Sequence, residues 1–295
     1  MKKAAFMFLI TICVVFSGFA NGGRDPAAPF NDHDIEAVHR IHYNGEVRIG
    51  IPDDEPPIAY TDANGLYQGY DAYFAKRIGK ELLDKESLIR FVPVEAARRA
   101  EYLDNGRVDF IIANFAVSPE NAAAVDFALP YRRAATGIVS PDSASVTELA
   151  QLEGKTLILV RGTPEELWVG EQYPHINLLQ FDRFTEAASA LLDGRGAALI
   201  HDSAVVLAWT KEHRGYSAAV ESAGPVYTIA PAVRKGNDGL ILWLNDVISR
   251  RVEADFFHKA YEATLRPVYG AAGNPETVVI ERGIIQPDRN QPYQY

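Results

Sequence analysis

The sequence predicts an α/β protein of two lobes, each a mainly parallel sheet flanked by helices, with two crossings of the chain between them. Three observations carry this reading. Strand-like and helix-like stretches alternate over residues 47–113, the alternation starts again near residue 134, and two helical stretches, 239–252 and 253–265, follow the last extended segment. Such alternation is the pattern of a largely parallel sheet covered on both faces. With 295 residues, 47% of them hydrophobic, the chain has enough apolar material for two moderate cores.

In the first half, residues 47–51 read as a strand and 52–69 as a long turn-rich loop. Residues 70–83 read as a helix with Tyr70, Phe74, Ile78 and Leu82 on one face. A strand over 88–94, a helix from Glu95 to the Asn105-Gly106 stop and a strand over 108–113 follow. Ahead of them, Asp32 or Asp34 is placed to cap a short helix through Arg40.

The second half restarts with an extended stretch at 134–140. Ser145-Val146-Thr147-Glu148 has capping-box spacing, and 156–160 is a buried strand, apolar after its first residue. Strands at 176–181 and 197–200 alternate with helices at 185–193 and 203–212. The extended stretch 226–233 is interrupted by Pro231. If the last helices return to the first lobe, the chain crosses near 132–137 and again near 226–231, and two crossing strands permit hinge bending.

The expected division is a signal peptide at 1–20, a first lobe of 21–134 plus 229–270, a second lobe of 135–228, and a C-terminal extension or tail at 271–295. Lys2 and Lys3 precede an apolar run that ends at Ser17-Gly18-Phe19-Ala20, which reads as an export signal cleaved after Ala20 and places the mature protein in the periplasm. Cys13 is the only cysteine, so cleavage leaves a chain with no thiol and no disulfide. The mature chain carries 27 positive against 39 negative groups, about −12, which opposes binding to nucleic acid or an anionic membrane.

Several ordered landmarks carry a family resemblance. Glu46-Val47-Arg48-Ile49-Gly50-Ile51, Asp54-Glu55-Pro56-Pro57-Ile58 and Gly65-Leu66-Tyr67-Gln68-Gly69-Tyr70-Asp71 open the series. Val125-Asp126-Phe127-Ala128-Leu129-Pro130-Tyr131, Arg161-Gly162-Thr163 and Ile200-His201-Asp202 continue it, and Ala232-Val233-Arg234-Lys235-Gly236-Asn237 closes it. Over residues 34–270 the chain resembles the family 3 periplasmic solute-binding proteins that serve polar amino-acid ABC importers. The resemblance implies a Venus-flytrap fold closing on a small polar solute, an amino acid or related amine. It also implies a monomeric receptor partnered by a membrane permease and its ATPase.

The family's usual grip pairs an arginine with the α-carboxylate, a threonine at a second-lobe helix start with the same group, and a second-lobe aspartate with the ammonium. A buried zwitterion needs both charged partners to offset its lost hydration. By this resemblance Thr163 and Asp202 match two of the three posts. Each also has an ordinary capping role open to it, Thr163 before Pro164 and Asp202 before Ser203.

The third post departs from the pattern. In Ala116-Val117-Ser118-Pro119-Glu120-Asn121, Asn121 stands at the arginine position and Ala116 replaces a hydroxyl residue. Asparagine cannot supply the charged bidentate fork. Ile58 stands where the family often has an aromatic, leaving Tyr60, Tyr67, Tyr70 and Phe115 as candidate walls. Asp53, Asp54 and Glu55 lie at the expected cleft mouth, read mostly as a solvated acidic loop. Arg132, Arg133 or Arg161 are candidate replacements for the carboxylate clamp.

The candidate ligand-binding set is therefore Asp202, Thr163, Asn121, Ser118, Ala116, Ile58, Tyr60 and Arg161, with no catalytic residue, metal or cofactor. A diverged accessory protein of the methanol-oxidation type is the alternative, and a periplasmic dehydratase a minor one. Scattered carboxylates define no positioned acid and base. His39, His42 and His201 form no compact metal signature with the other histidines.

Overall fold

The computed structural model describes residues 36–220, 224–271 and 273–280. The signal segment, the Asp32 and Asp34 capping positions and residues 281–295 lie outside the described residues. Helix α1 (Glu36–Asn44) leads into strand β1 (Val47–Ile51). The turn-rich loop folds into three short strands, β2 (Asp54–Glu55), β3 (Ala59–Thr61) and β4 (Tyr67–Gln68), ahead of helix α2 (Tyr70–Leu83). Strand β5 (Ile89–Pro93), helix α3 (Arg99–Asp104), strand β6 (Phe110–Ile111), helix α4 (Pro119–Ala124) and strand β7 (Val125–Phe127) follow.

Strand β8 (Arg132–Pro141) then carries the chain into a second sheet. There β9 (Thr156–Val160), helix α5 (Pro164–Gln172), β10 (Asn177–Phe181), helix α6 (Phe184–Leu192), β11 (Ala198–Asp202), helix α7 (Ser203–Glu212) and β12 (Tyr216–Val220) alternate. Strand β13 (Val226–Ile229) runs back along β8, and β14 (Ala232–Arg234) re-enters the first sheet. Helices α8 (Asp238–Glu253), α9 (Phe256–Thr264) and α10 (Arg266–Tyr269) come last.

The first sheet has the order β5-β1-β6-β14-β7 and the second β10-β9-β11-β8-β12, with β13 also on β8. Each begins as three parallel strands and becomes antiparallel where a crossing strand joins it. The reason is topological: β8 and β14 arrive from the other lobe and so run against their hosts. The two crossings lie side by side, with Arg132 opposite Ile229 in the β8–β13 ladder. Pro231 interrupts the return strand, as a residue without an amide proton must.

Helix α2 shows how sequence sets packing here. Tyr70, Phe74, Ile78 and Leu82 are all buried, the expected 3.6-residue stripe. Phe74 packs on Tyr131 at 4.9 Å and on Phe257 at 5.0 Å, so α2, the approach to β8 and α9 share one aromatic cluster. The helix start is capped from the loop: the amides of Tyr70 and Asp71 donate to the carbonyls of Pro57 and Ile58. That seam requires Gly69, whose φ is 105°, because a Cβ there would collide with the Ile58 carbonyl.

Two local expectations are corrected. The capping box is built by Glu148 and Gln151 around a 3-10 turn at Leu149–Leu152, not by Ser145, because Gln151 Oε1 already accepts the amides of Thr147 and Glu148 that a Ser145 cap needs. The loop at 52–69 is organised as a small antiparallel sheet, with Asp54 opposite Tyr60 and Tyr60 opposite Gln68. The C-terminal extension packs back over 278–280: Arg133 donates its amide to the Val278 carbonyl, and its guanidinium reaches the carbonyls of Glu276 and Val279.

Gly69→Ala is expected to cost about 3 kcal/mol or more in chemical denaturation, from φ strain plus backbone collision. Gly65→Ala, with positive φ but open space around it, is expected to cost about 1 to 2 kcal/mol. Equal losses would contradict the close-packed seam.

Candidate functional site

Where the crossings meet the lobes, one arginine organises three elements. Arg132, the first residue of β8, is 1% exposed, and its two terminal nitrogens lie 3.1 and 3.2 Å from Asp202 Oδ2. Its Nε is 3.5 Å from Asp71 Oδ1 on α2, and it also donates to Asn114 Oδ1 at 2.5 Å. Burial opposes the Arg132 charge, but Asp202 and Asp71 outweigh it and hold the guanidinium above its ordinary range. Burial pushes the Asp71 carboxyl up, with Arg132 opposing. Asp71 Oδ2 accepts the amide of Asn114, a residue held at a φ of 49°.

Asp202 thus does two structural jobs. Its Oδ1 accepts the Ala204 amide at 2.8 Å and caps α7, while Oδ2 holds Arg132. Its charge is compensated inside the protein. The residue ends β11 at the carboxyl edge of a parallel run, the edge at which open α/β sheets present ligand groups.

Asn121 also bonds locally. Its side-chain amide donates to the Ala116 carbonyl at 3.0 Å, and its backbone amide donates to Ser118 Oγ, the N-cap of α4. Ala116 is fully buried and bridges to Ile229, and Ile58 is likewise in the core. Tyr60 is half-buried on the small sheet. Arg161 turns outward to Asp182 on the exposed side of the lobe. Thr163, 5% exposed, spends its hydroxyl proton on the Val160 carbonyl at 2.7 Å.

A second buried cluster spans the lobes. Glu55 on β2 and Arg99 at the start of α3 belong to the first lobe, and Glu165 on α5 and His201 on β11 to the second. They are 4%, 2%, 4% and 1% exposed. Glu55 Oε1 stands 4.0 Å from His201 Nε2. Glu55 Oε2, Arg99 Nε and both ring nitrogens of His201 have no hydrogen-bond partner among the described residues. Arg99 lies over the Phe115 ring at 5.1 Å and makes no ion pair among those residues. Burial pushes the Glu55 carboxyl up to about 8, with Arg99 the largest opposing influence, and raises Glu165. Burial also lowers His201 and Arg99.

Beside this cluster the two lobes are latched. Arg183 Nη2 reaches Asp53 at 2.7 Å, and Asp54 Oδ2 accepts both the Thr185 amide and the Thr185 hydroxyl at 3.1 Å. A first-lobe carboxylate therefore caps α6, whose own N-cap residue, Arg183, makes no side-chain cap. Nearby, the Gly162 turn presses on the backbone of Ala97 with no room for a Cβ.

Sequence reasoning singled out Asp202 and Thr163; Asp202 follows His201 at the end of β11, and Thr163 stands two residues before Glu165 at the start of α5. It passed over Arg99, and it treated Glu55 as part of a solvated loop. Arg98 and Arg99 are adjacent, yet one is exposed and paired with Glu101 while the other is buried. Only the phase of the short α3 turn separates them.

The model of the bacterial extracellular solute-binding proteins, family 3, matches residues 47–264. The chain belongs to that family. It is 24% identical to the glutamine-binding protein of a Bacillus subtilis ABC transporter, over 90% of this chain and 98% of the relative. Among solved structures, it is 45% identical to the Neisseria gonorrhoeae solute receptor for L-cysteine, with a TM-score of 0.81, covering 83% of this chain and 99% of that one. The Campylobacter jejuni cysteine-binding protein is similar at 41% identity and a TM-score of 0.80, with the same coverage. In this family 3 protein both crossing strands adjoin the Arg132 cluster, so the hinge and the cleft floor are one piece of structure.

Arg132→Met leaves Asp71 and Asp202 buried without their cation and is expected to cost about 3 to 5 kcal/mol at neutral pH. With Arg132 gone, the folded pKa of Asp71 rises further above its unfolded value of about 3.9. The folded variant then binds more protons than the unfolded chain, so its deficit shrinks as pH falls from 7 towards 4. Denaturation midpoints across that range check this; a deficit independent of pH would contradict it.

Proposed function

We propose that this chain is the periplasmic receptor of an ABC importer, closing its lobes on a small polar amino acid and offering the closed form to a membrane permease and its ATPase. The observation that carries this reading is the set of buried ionisable groups, Glu55, Arg99, Glu165 and His201, gathered from both lobes, three of which (Glu55, Arg99 and His201) keep buried polar atoms without a hydrogen-bond partner among the described residues. Such groups are costly in an interior that holds only protein and become useful when a polar solute meets them. The similarity to two cysteine receptors across almost their whole length supports an amino acid as the cargo.

The architecture suits capture by closure. The chain crosses between lobes on two paired strands, so bending there moves each core as a unit. Closing brings Asp53 and Asp54 onto Arg183 and Thr185 and excludes water that competes for the solute's hydrogen bonds.

Ligand-stripped protein titrated calorimetrically with the common L-amino acids is expected to bind at least one small polar member with a Kd of about 10 μM or tighter, near −7 kcal/mol. X-ray scattering of the same samples is expected to show a smaller radius of gyration with that ligand. Absence of binding by every amino acid, with a folded protein, would contradict the proposal.

A further inference from the structure

The two ends of an amino acid need an anion partner and a cation partner, and the positions that usually supply them are engaged within this protein. Asp202 is held by Arg132 through both terminal guanidinium nitrogens and by the Ala204 amide. Asn121 carries no charge and is bonded to the Ala116 carbonyl. Among the buried groups with spare capacity are Arg99 and Glu55 of the first lobe, with His201 4.0 Å from Glu55 and Glu165 near enough to act on the Arg99 charge.

We propose that the solute binds in a displaced pose, its α-carboxylate on Arg99 and its α-ammonium on Glu55, with Arg132 filling internally the place an ammonium would take at Asp202. This rests on the reading of the chain as an amino-acid receptor and specifies how that solute is held. Arg99 is a fully buried guanidinium with no ion pair among the described residues, and a bidentate carboxylate is the ligand its fork fits best. Glu55 Oε2 is an unpartnered buried acceptor near enough to Arg99 for that cation to be the strongest opposing charge on it. A zwitterion spanning the two places each solute charge beside its opposite.

The arrangement has a proton signature. The charged and titratable groups facing Glu55 are Arg99, Asp54, Asp202 and Asp71, with His201 at 4.0 Å. Burial between the closed lobes raises its carboxyl to about 8, so closure at pH 7 with no cation beside Glu55 favours uptake of a proton. A solute ammonium beside Glu55 keeps the carboxylate ionised through closure. The balance is then close to no net proton exchanged per solute bound, with no covalent bond to the solute made or broken.

The test is calorimetry at pH 7 on ligand-stripped full chain, in buffers of different ionisation enthalpy. L-Cysteine under reducing conditions is the first probe, followed by L-glutamine and L-arginine. Net proton exchange close to zero per amino acid is expected, where burial of Glu55 without an ammonium partner predicts uptake approaching one, and Glu55→Gln is expected to weaken binding at least about tenfold while the protein stays folded. Arg99→Met is expected to weaken binding at least about 100-fold, with Arg99→Lys intermediate. Asn121→Ala is expected to change affinity less than about threefold. Because Arg99 has no ion pair to lose among the described residues and methionine can keep the contact with the Phe115 ring, thermal unfolding of ligand-free Arg99→Met is expected at or above the wild-type temperature, which separates lost binding from lost folding.

Wild-type binding that survives Arg99→Met but is lost in Asn121→Ala would overturn the displaced pose and leave the receptor reading standing. Binding lost in Arg99→Met with uptake approaching one proton in the wild type would overturn the Glu55 assignment. If none of the three amino acids binds the folded wild type, the displaced pose is refuted, and the wider amino-acid panel decides the receptor reading separately.

Discussion

The structure turns on one buried guanidinium. Arg132 lies where the chain leaves the first sheet, and it pairs with Asp71 at the start of α2 and with Asp202 at the end of β11. A fully buried ion cluster of this kind does not make a protein more stable than an apolar one of the same shape, but breaking it is expensive. That asymmetry makes it a device for register. It fixes how β8, α2 and α7 meet, and the cleft floor is built from those three elements. It also removes Asp202 from the pool of free carboxylates, which changes what the cleft can ask of a solute.

Around that floor the protein accepts unfavourable burial where a ligand can offset it. Glu55, Arg99, Glu165 and His201 are each shifted towards the neutral form by their surroundings. Arg99 illustrates the trade: burial costs its charge hydration, a cost that a carboxylate in the proposed pose offsets. The rim contacts of Asp53 and Asp54 work differently. They are more exposed and screened by solvent, so their part is to set the orientation of the closed lobes, including the N-terminus of α6.

The repeated α/β alternation was legible because periodicity is local. Helix α2 and strands β1 and β9 fall where their apolar patterns place them. The antiparallel half of each sheet was not legible, since strand direction depends on which lobe a strand comes from. The three short strands after β1 were hidden in turn-rich sequence because their pairing is fixed by Gly69 and the start of α2, not by alternation. At the site, the change at Asn121 was visible as a missing charge. Which of the candidate arginines is buried was not, because an arginine's partner is set by tertiary position: Arg132, Arg133 and Arg161 look alike in sequence, yet one is buried between carboxylates, one holds the 276–279 segment, and one faces Asp182.

The measurement that bears most directly on this account is a double-mutant cycle on folding stability between Arg132→Met and Asp202→Asn, the latter chosen because asparagine still caps α7. An internal pair that organises the cleft floor predicts strong coupling, with the double variant more stable than the sum of the single losses implies by at least about 2 kcal/mol. Additive losses, within about 0.5 kcal/mol, would show that Asp202 does not depend on Arg132 and would contradict the account.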